Sequence, residues 1–464
     1  MAPRHLHKVK EFGHAAHFKT RPQPGRGRWT EISRRVSTVA KDHARRKHAC
    51  CAFLRSTPAL CCVSAGCWIT DADGRKVFDC ENNFFSLVHG HAIPPVIEAL
   101  HKVLDDGTAF GLLTTSETRL AEAITTHSPK LQQVRFTSSG TEAVMFAVKA
   151  ARAIAGRPMN AKFEGAYHGA YDYVEVSLDS APNNWGDSSP SSVLYASGTS
   201  ASTAADVLVL PYNEPKSCRE LIRKHHERLA AILLDPVASR VGMVPIEVDL
   251  RDVIQDCCNR YGILLVVDEV VSYRVGFRGA HDVFGFEPDL VALGKIIGGG
   301  LPVAAVAGPA SHMAVFDHTK GKPAVSHGGT FSANPLSMTA GLAALQSYTK
   351  DAVARLNQMG DTLRSEDTEQ LRRRELPAQV TGMSSLFRLH LKAEVVRNYR
   401  TSFPSVLQKA ALAKVHRAML ERGFLMTPNC SGALSTPMSE TDIQDLAAAL
   451  VDAVHEVWKQ SPWD

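Results

Sequence analysis

Several things are missing from this chain of 464 residues. No stretch approaches eighteen consecutive apolar residues, which excludes a membrane-spanning helix. Ten cysteines are present, yet none forms a CxxC pair. Cys50, Cys51, Cys61, Cys62 and Cys67 crowd one stretch, with His48 the sole close histidine. That spacing does not suit zinc, and no metal is expected. No signal-peptide pattern precedes them, so reduced thiols and a cytoplasmic location are expected. Acidic residues are scarce at the start, where residues 1–50 hold three against thirteen lysines and arginines. The remainder carries 44 acidic and 39 basic residues and offers no nucleic-acid surface. Residues 1–48, with "RPQPGRGR" and "HARRKH", therefore read as a basic, disordered extension. It lacks the Ser-rich, amphipathic look of a transit peptide, although a mitochondrial address stays open. Neither GxxxxGK[ST] nor GxGxxG after an early strand occurs, which removes two common nucleotide-binding loops. There is no internal repeat and no long linker.

What is present is an alternation of strands and helices. From about Leu131, "LQQVRF" reads as a strand and "TEAVMFAVKAARAIAG" as a helix stopped by Gly156. "AAILLDP" and "ILLVVDE" are continuous apolar runs of the kind buried in parallel sheets. "LRDVIQDCCNRYG" is a helix with a glycine stop, and "DLVAL" and "PVAAVAG" follow as strands. The pattern predicts an α/β body with a mostly parallel sheet covered on both faces. After about Leu342 the texture becomes α+β, with "SSLFRLHLK" a short strand and "SETDIQDLAAALVDAVHEVWK" a capped terminal helix. The expected division is an N-terminal segment over 49–112, a large domain over 113–337 and a smaller C-terminal domain over 338–464.

In such sheets ligands bind at the carboxyl ends of the strands. Four of those ends carry conspicuous groups. Ser138, Ser139, Gly140 and Thr141 lie between a strand and a helix, where free amides and the helix dipole can hold a phosphate; an ordinary N-cap explains them equally. Asp268 ends "LLVVD" and needs a partner, either a protonated ring nitrogen or a backbone to cap. Lys295 follows "DLVAL" and precedes Gly298, Gly299 and Gly300. A desolvated lysine loses its proton readily and becomes a nucleophile, and glycines let backbone pass close to a bulky ligand. A surface lysine is the alternative. Tyr167 and His168 sit between two glycines after "AKFEG", where an aromatic can stack on a flat ligand or simply pack. Together, a phosphate cradle, a stacking surface, a carboxylate for a ring nitrogen and a lysine for an aldehyde match the needs of pyridoxal 5'-phosphate.

"TSSGTEAVMFAVKAAR", "FEGAYHG", "VVDEVVSYRVGF", "PDLVALGKIIGGGLP" and "HGGTFSANPLSMTAGLAAL" resemble the class III aminotransferases of fold type I, from about Gly66 to the C-terminus. Within that family the similarity is greatest to glutamate-1-semialdehyde aminomutase and the β-phenylalanine aminotransferases. The resemblance implies that Lys295 forms the Schiff base with the cofactor and then carries protons between substrate and cofactor carbons. It implies that Asp268 keeps the pyridine nitrogen protonated. Val270 would cover one ring face and Tyr167, beside His168, the other, while Ser139, Gly140 and Thr141 bind the phosphate. Thr330 would reach the phosphate held by a partner subunit, which implies a homodimer with shared sites.

The departures concern the substrate. Ala49 and Asn429 stand where the β-amino acid enzymes carry carboxylate-binding arginines, which leaves Arg240 and Arg274 as the expected cations near the cofactor. The resulting expectation is an aminotransferase that moves an amino group between a small-molecule donor and an oxo acceptor. A β-amino acid or its ester or carrier-bound form is the expected donor. An intramolecular aminomutase and a non-catalytic dimeric binding protein of the same fold are the alternatives.

Overall fold

A computed structural model describes residues 61–463. The basic extension over 1–48, Cys50, Cys51 and Ala49 lie outside the described residues. Two compact units are present. The described part of the smaller one includes Thr70–Arg75, a turn in which Asp71 Oδ1 accepts from the amides of Asp73 and Arg75. The larger one holds Val63–Ile69 and Lys76 onward.

Three short strands come first, β1 (Cys61–Ala65), β2 (Trp68–Asp71) and β3 (Lys76–Asp79). The main sheet has seven strands: β4 (Gln133–Thr137), β5 (Met159–Phe163), β6 (Val207–Leu210), β7 (Leu229–Leu234), β8 (Leu264–Asp268), β9 (Leu290–Leu293) and β10 (Ala304–Gly308). Their order is β4-β10-β9-β8-β7-β5-β6. All pairings are parallel except those of β10, which runs antiparallel to both β4 and β9. Every residue of β7, β8 and β9 is buried, as both-face coverage by helices requires.

The helices end where the sequence says they should. Gly140–Ala155 stops at Gly156 (φ 63°) and Val248–Tyr261 at Gly262 (φ 58°), both left-handed caps that glycine adopts without a Cβ clash. The terminal helix Glu440–Gln460 opens on a capping box between Ser439 and Asp442.

A second sheet stands beyond the seven-stranded one. Its strands β11 (Gln379–Thr381), β12 (Leu386–His390) and β14 (Ser431–Ala433) are antiparallel in the order β11-β12-β14. Strand β13 (Phe424–Leu425) joins β3 in parallel, Phe78 opposite Phe424.

Two glycines of the run after β9 are needed by the chain's own packing. A Cβ on Gly298 would stand 2.8 Å from Val303 Cγ1, and one on Gly299 (φ 57°) 2.4 Å from the carbonyl oxygen of Ala340. Gly298 and Gly299 therefore let this backbone lie against its own chain and against helix Pro335–Ser347.

Candidate active site

Three of the four conspicuous strand ends converge through contacts that can be followed residue by residue. Asp268 closes β8, buried. Its Oδ1 accepts from the amide of Val270 at 3.0 Å, and its Oδ2 lies 2.7 Å from His168 Nδ1. Val270 is the joint between two other elements. A Cβ on Gly140 would stand 2.9 Å from Val270 Cγ1, and one on Gly294, the residue before Lys295, 3.2 Å from it. Val270 thus sits between the start of helix Gly140–Ala155 and the lysine. The fourth end closes the ring: the amide of Ala170, just after His168 and Gly169, donates to Thr141 Oγ1 at 3.1 Å.

Ser139 is the N-cap of that helix, accepting from the Glu142 amide at 3.3 Å. Glu142 Oε2 returns the bond to the Ser138 amide at 2.8 Å and accepts from Ser139 Oγ at 3.2 Å. This reciprocal cap leaves Gly140 and Thr141 as first-turn residues whose amides have no intrahelical carbonyl to reach. They face the positive end of the helix dipole and suit an anion.

Lys295 has a left-handed backbone (φ 49°), rare for a residue with a side chain and a mark of functional strain. Its Nζ donates to the carbonyl of Phe84 at 2.6 Å and stands 5.5 Å from the centre of the Phe85 ring. Burial pushes its pKa down to about 8, against the attraction of Asp268 and Asp235. Burial also lowers the pKa of His168, partly offset by Asp268, so the imidazole is neutral. Its Nδ1–H then donates to Asp268, and Nε2 is buried with no partner among the described residues. Asp235, at the end of β7, is pushed up to about 7 by burial and then by the charge of Asp268.

Pyridoxal phosphate fits these groups. An amine with a depressed pKa, an oriented carboxylate and two free helix-start amides occur in one contiguous cluster. The ring of Tyr167, 50% exposed, lies beside them as an open flat surface. Thr330 stands apart, in the exposed segment 328–331.

The two cations expected to meet a substrate do not stand free. Arg274 is fully buried and spends its guanidinium on the interior: Nε donates to Ser385 Oγ, Nη1 to the Phe85 carbonyl and Nη2 to the Leu434 carbonyl. It ties the second sheet to the 82–85 turn and is a structural arginine. Arg240, its side chain 40% exposed, pairs with Asp179 Oδ1 at 2.8 Å. Asn429 Oδ1 accepts from Thr427 Oγ1 at 2.5 Å.

Two features escaped the sequence. Residues Asn82, Asn83, Phe84 and Phe85 form a left-handed turn (φ 51°, 50°, 53° and 69°) that delivers the Phe84 carbonyl to Lys295. Asp79 Oδ1 holds its start through the amides of Glu81 and Asn82. The paired asparagines, which tolerate this region best, were its one visible signal. Glu81, beside Lys295, is pushed up to about 7 by burial and then by Asp79.

Residues 55–438 match the family described as aminotransferase class-III. A glutamate-1-semialdehyde 2,1-aminomutase from Thermomicrobium roseum is 36% identical over 404 residues, covering 86% of this chain and 91% of that protein. Among solved structures, an omega-transaminase from Sphaerobacter thermophilus superposes with a TM-score of 0.85 at 42% identity, covering 94% of this chain and 98% of the other. A beta-phenylalanine aminotransferase from Variovorax paradoxus does so with a TM-score of 0.81 at 28% identity, covering 94% and 97%. Matched by that family over residues 55–438, the chain belongs to the class-III aminotransferases, pyridoxal-phosphate enzymes that act on small amino and oxo compounds.

Proposed function

We infer that this enzyme transfers an amino group from an amino acid, of the β-amino type, to an oxo acid, with Lys295 and Asp268 as its catalytic residues. The observation that carries the reading is the chain of contacts from His168 to Asp268 to Val270, with Val270 packed against Gly294, the residue before Lys295. When bound, pyridoxal phosphate supplies an electron sink for the bond next to the substrate nitrogen. The chain does the rest. Ser139, Gly140 and Thr141 bind the phosphate, and Tyr167 and Val270 cover the ring. Asp268 holds a proton at the ring nitrogen, oriented by His168 and the Val270 amide. Lys295 Nζ, with a pKa near 8, takes and returns a proton at neutral pH. The β-amino preference draws on the solved beta-phenylalanine aminotransferase.

An intramolecular aminomutase is the second reading, favoured by the 36% identity to glutamate-1-semialdehyde 2,1-aminomutase. An absorbance scan separates the two. A transaminase loses its cofactor band with a β-amino acid alone and regains it with a 2-oxo acid. A mutase converts glutamate-1-semialdehyde with no second substrate. No spectral change with any amine would leave a non-catalytic binding protein.

A homodimer is part of the same reading. Leu112 and Leu113 are 85% and 87% exposed, and Phe331, beside Thr330, is 67% exposed. Asn334 Nδ2 donates to the Thr108 carbonyl at 2.8 Å, which links the segment before Leu112 to the one after Phe331. Exposed apolar side chains of this size are covered when a second copy docks. The division into a large region over 113–337 and a smaller one over 338–464 also belongs to this reading, as does a cytoplasmic location. The free thiols of the described cysteines agree with a reducing compartment.

A further inference from the structure

Arg388 lies in the middle of β12, on the same face as Leu386 and His390. Leu386 packs in one cluster with Phe85 and Val237, and Lys295 Nζ stands over the Phe85 ring. One residue of that face, Leu386, therefore packs with the aromatic ring beside Lys295. Arg388 is only 8% exposed, yet one nitrogen alone has a protein partner among the described residues: Nη1 donates to the Ser239 carbonyl at 3.0 Å. Nε is buried with none. Directly opposite it across the ladder is Ser431, whose hydroxyl oxygen is likewise buried and unpartnered. Opposed residues of an antiparallel pair share a face and stand a few ångströms apart. Arg240 follows Ser239, and its charge is felt at Arg388 next after burial, the two together bringing Arg388 to about 10.

A desolvated guanidinium with most of its fork unfilled is unfavourable. Arg274, equally buried, meets that need with three protein acceptors. Arg388 does not, and a second cation and an idle hydroxyl lie beside it. The missing partner is a planar anion that can take two parallel N–H bonds, which is a carboxylate. We propose that Arg388, assisted by Ser431, receives the carboxylate of the amino-acid substrate, so that the enzyme selects free acids over esters and simple amines. The proposal rests on the aminotransferase reading and adds a specificity residue to it.

The test uses the holoenzyme and follows loss of the cofactor band with 3-amino-3-phenylpropanoate, its methyl ester and 1-phenylethylamine. Wild type should reach half-maximal loss with the free acid at a concentration about a hundredfold lower than with the ester. Arg388→Leu should remove that advantage and leave the response to 1-phenylethylamine within about threefold of wild type, with Arg388→Lys intermediate because a point charge replaces a fork. Equal response of wild type to acid and ester would overturn the proposal without any variant needing to fold. So would an unchanged preference for the acid in Arg388→Leu. Loss of the band with none of the three compounds would refute the β-amino acid reading itself, and this proposal with it.

Discussion

His168 and Asp268, a hundred residues apart, meet in a buried hydrogen bond of 2.7 Å between Nδ1 and Oδ2. Because the neutral ring must donate from Nδ1, its tautomer is fixed, and so is the direction in which Asp268 presents its free lone pairs. His168→Phe keeps the volume and removes the donor. Cofactor affinity and kcat should each fall about tenfold, the size of one hydrogen bond to a charged group. A fluorescence titration of apoenzyme with pyridoxal phosphate reads the first and steady-state assay the second.

Asp268→Asn should be far more damaging to turnover than to binding. The amide keeps the shape but cannot hold a proton at the ring nitrogen, and a loss of about a hundredfold or more in kcat is expected with cofactor still bound. Turnover near that of wild type would remove Asp268 from the catalytic residues.

Borohydride treatment of the holoenzyme followed by peptide mapping should label Lys295. Lys295→Ala should take up no label and have no measurable turnover. Label on any other lysine would move the assignment there.

The depressed pKa of Lys295 gives the pH dependence its sign. Its free amine is the reactive form, and that form increases as pH rises through about 8, where an ordinary lysine would still be charged. The rate at which apoenzyme captures pyridoxal phosphate should therefore climb between pH 7 and 9, the range about one unit either side of that pKa. A rate that is flat there and climbs only near the pKa of an exposed lysine would contradict the desolvated environment.

Gly299→Ala should destabilise the fold by about 3 kcal/mol, since the new Cβ meets backbone and the residue is left-handed. Gly111→Ala, with nothing within 4 Å of the new atom, is the control and should be nearly neutral. Thermal unfolding of the two variants side by side makes the comparison.

Leu113→Asp and Phe331→Asp should each prevent the proposed dimer by burying an unpaired charge among its exposed apolar side chains. Sedimentation should show the variants as monomers with activity lost, as the proposed reach of Thr330 to a partner's phosphate requires.

Lys295, Asp268 and the Ser139–Thr141 cap were legible in the sequence because their signals are local. An apolar run of strand length ending in a charge, or a strand followed by Ser, Gly and Thr and then a helix, is written in consecutive residues. Parallel strands bring their carboxyl ends to one edge, so the convergence of these groups follows from the alternation of elements alone. The glycine stops at Gly156 and Gly262 were legible for the same reason. The tertiary structure decided what depends on residues far apart in the chain. Arg240 and Arg274 looked alike as free cations, but Asp179 holds one at the surface, and the carbonyls of Phe85 and Leu434 with Ser385 consume the other inside. Arg388 was hidden in a short strand of the second sheet, and only its pairing with Ser431 and its place beside Ser239 reveal it as buried and unfilled. The spare valence of a buried polar group is a property of every atom around it, and no window of sequence contains those atoms.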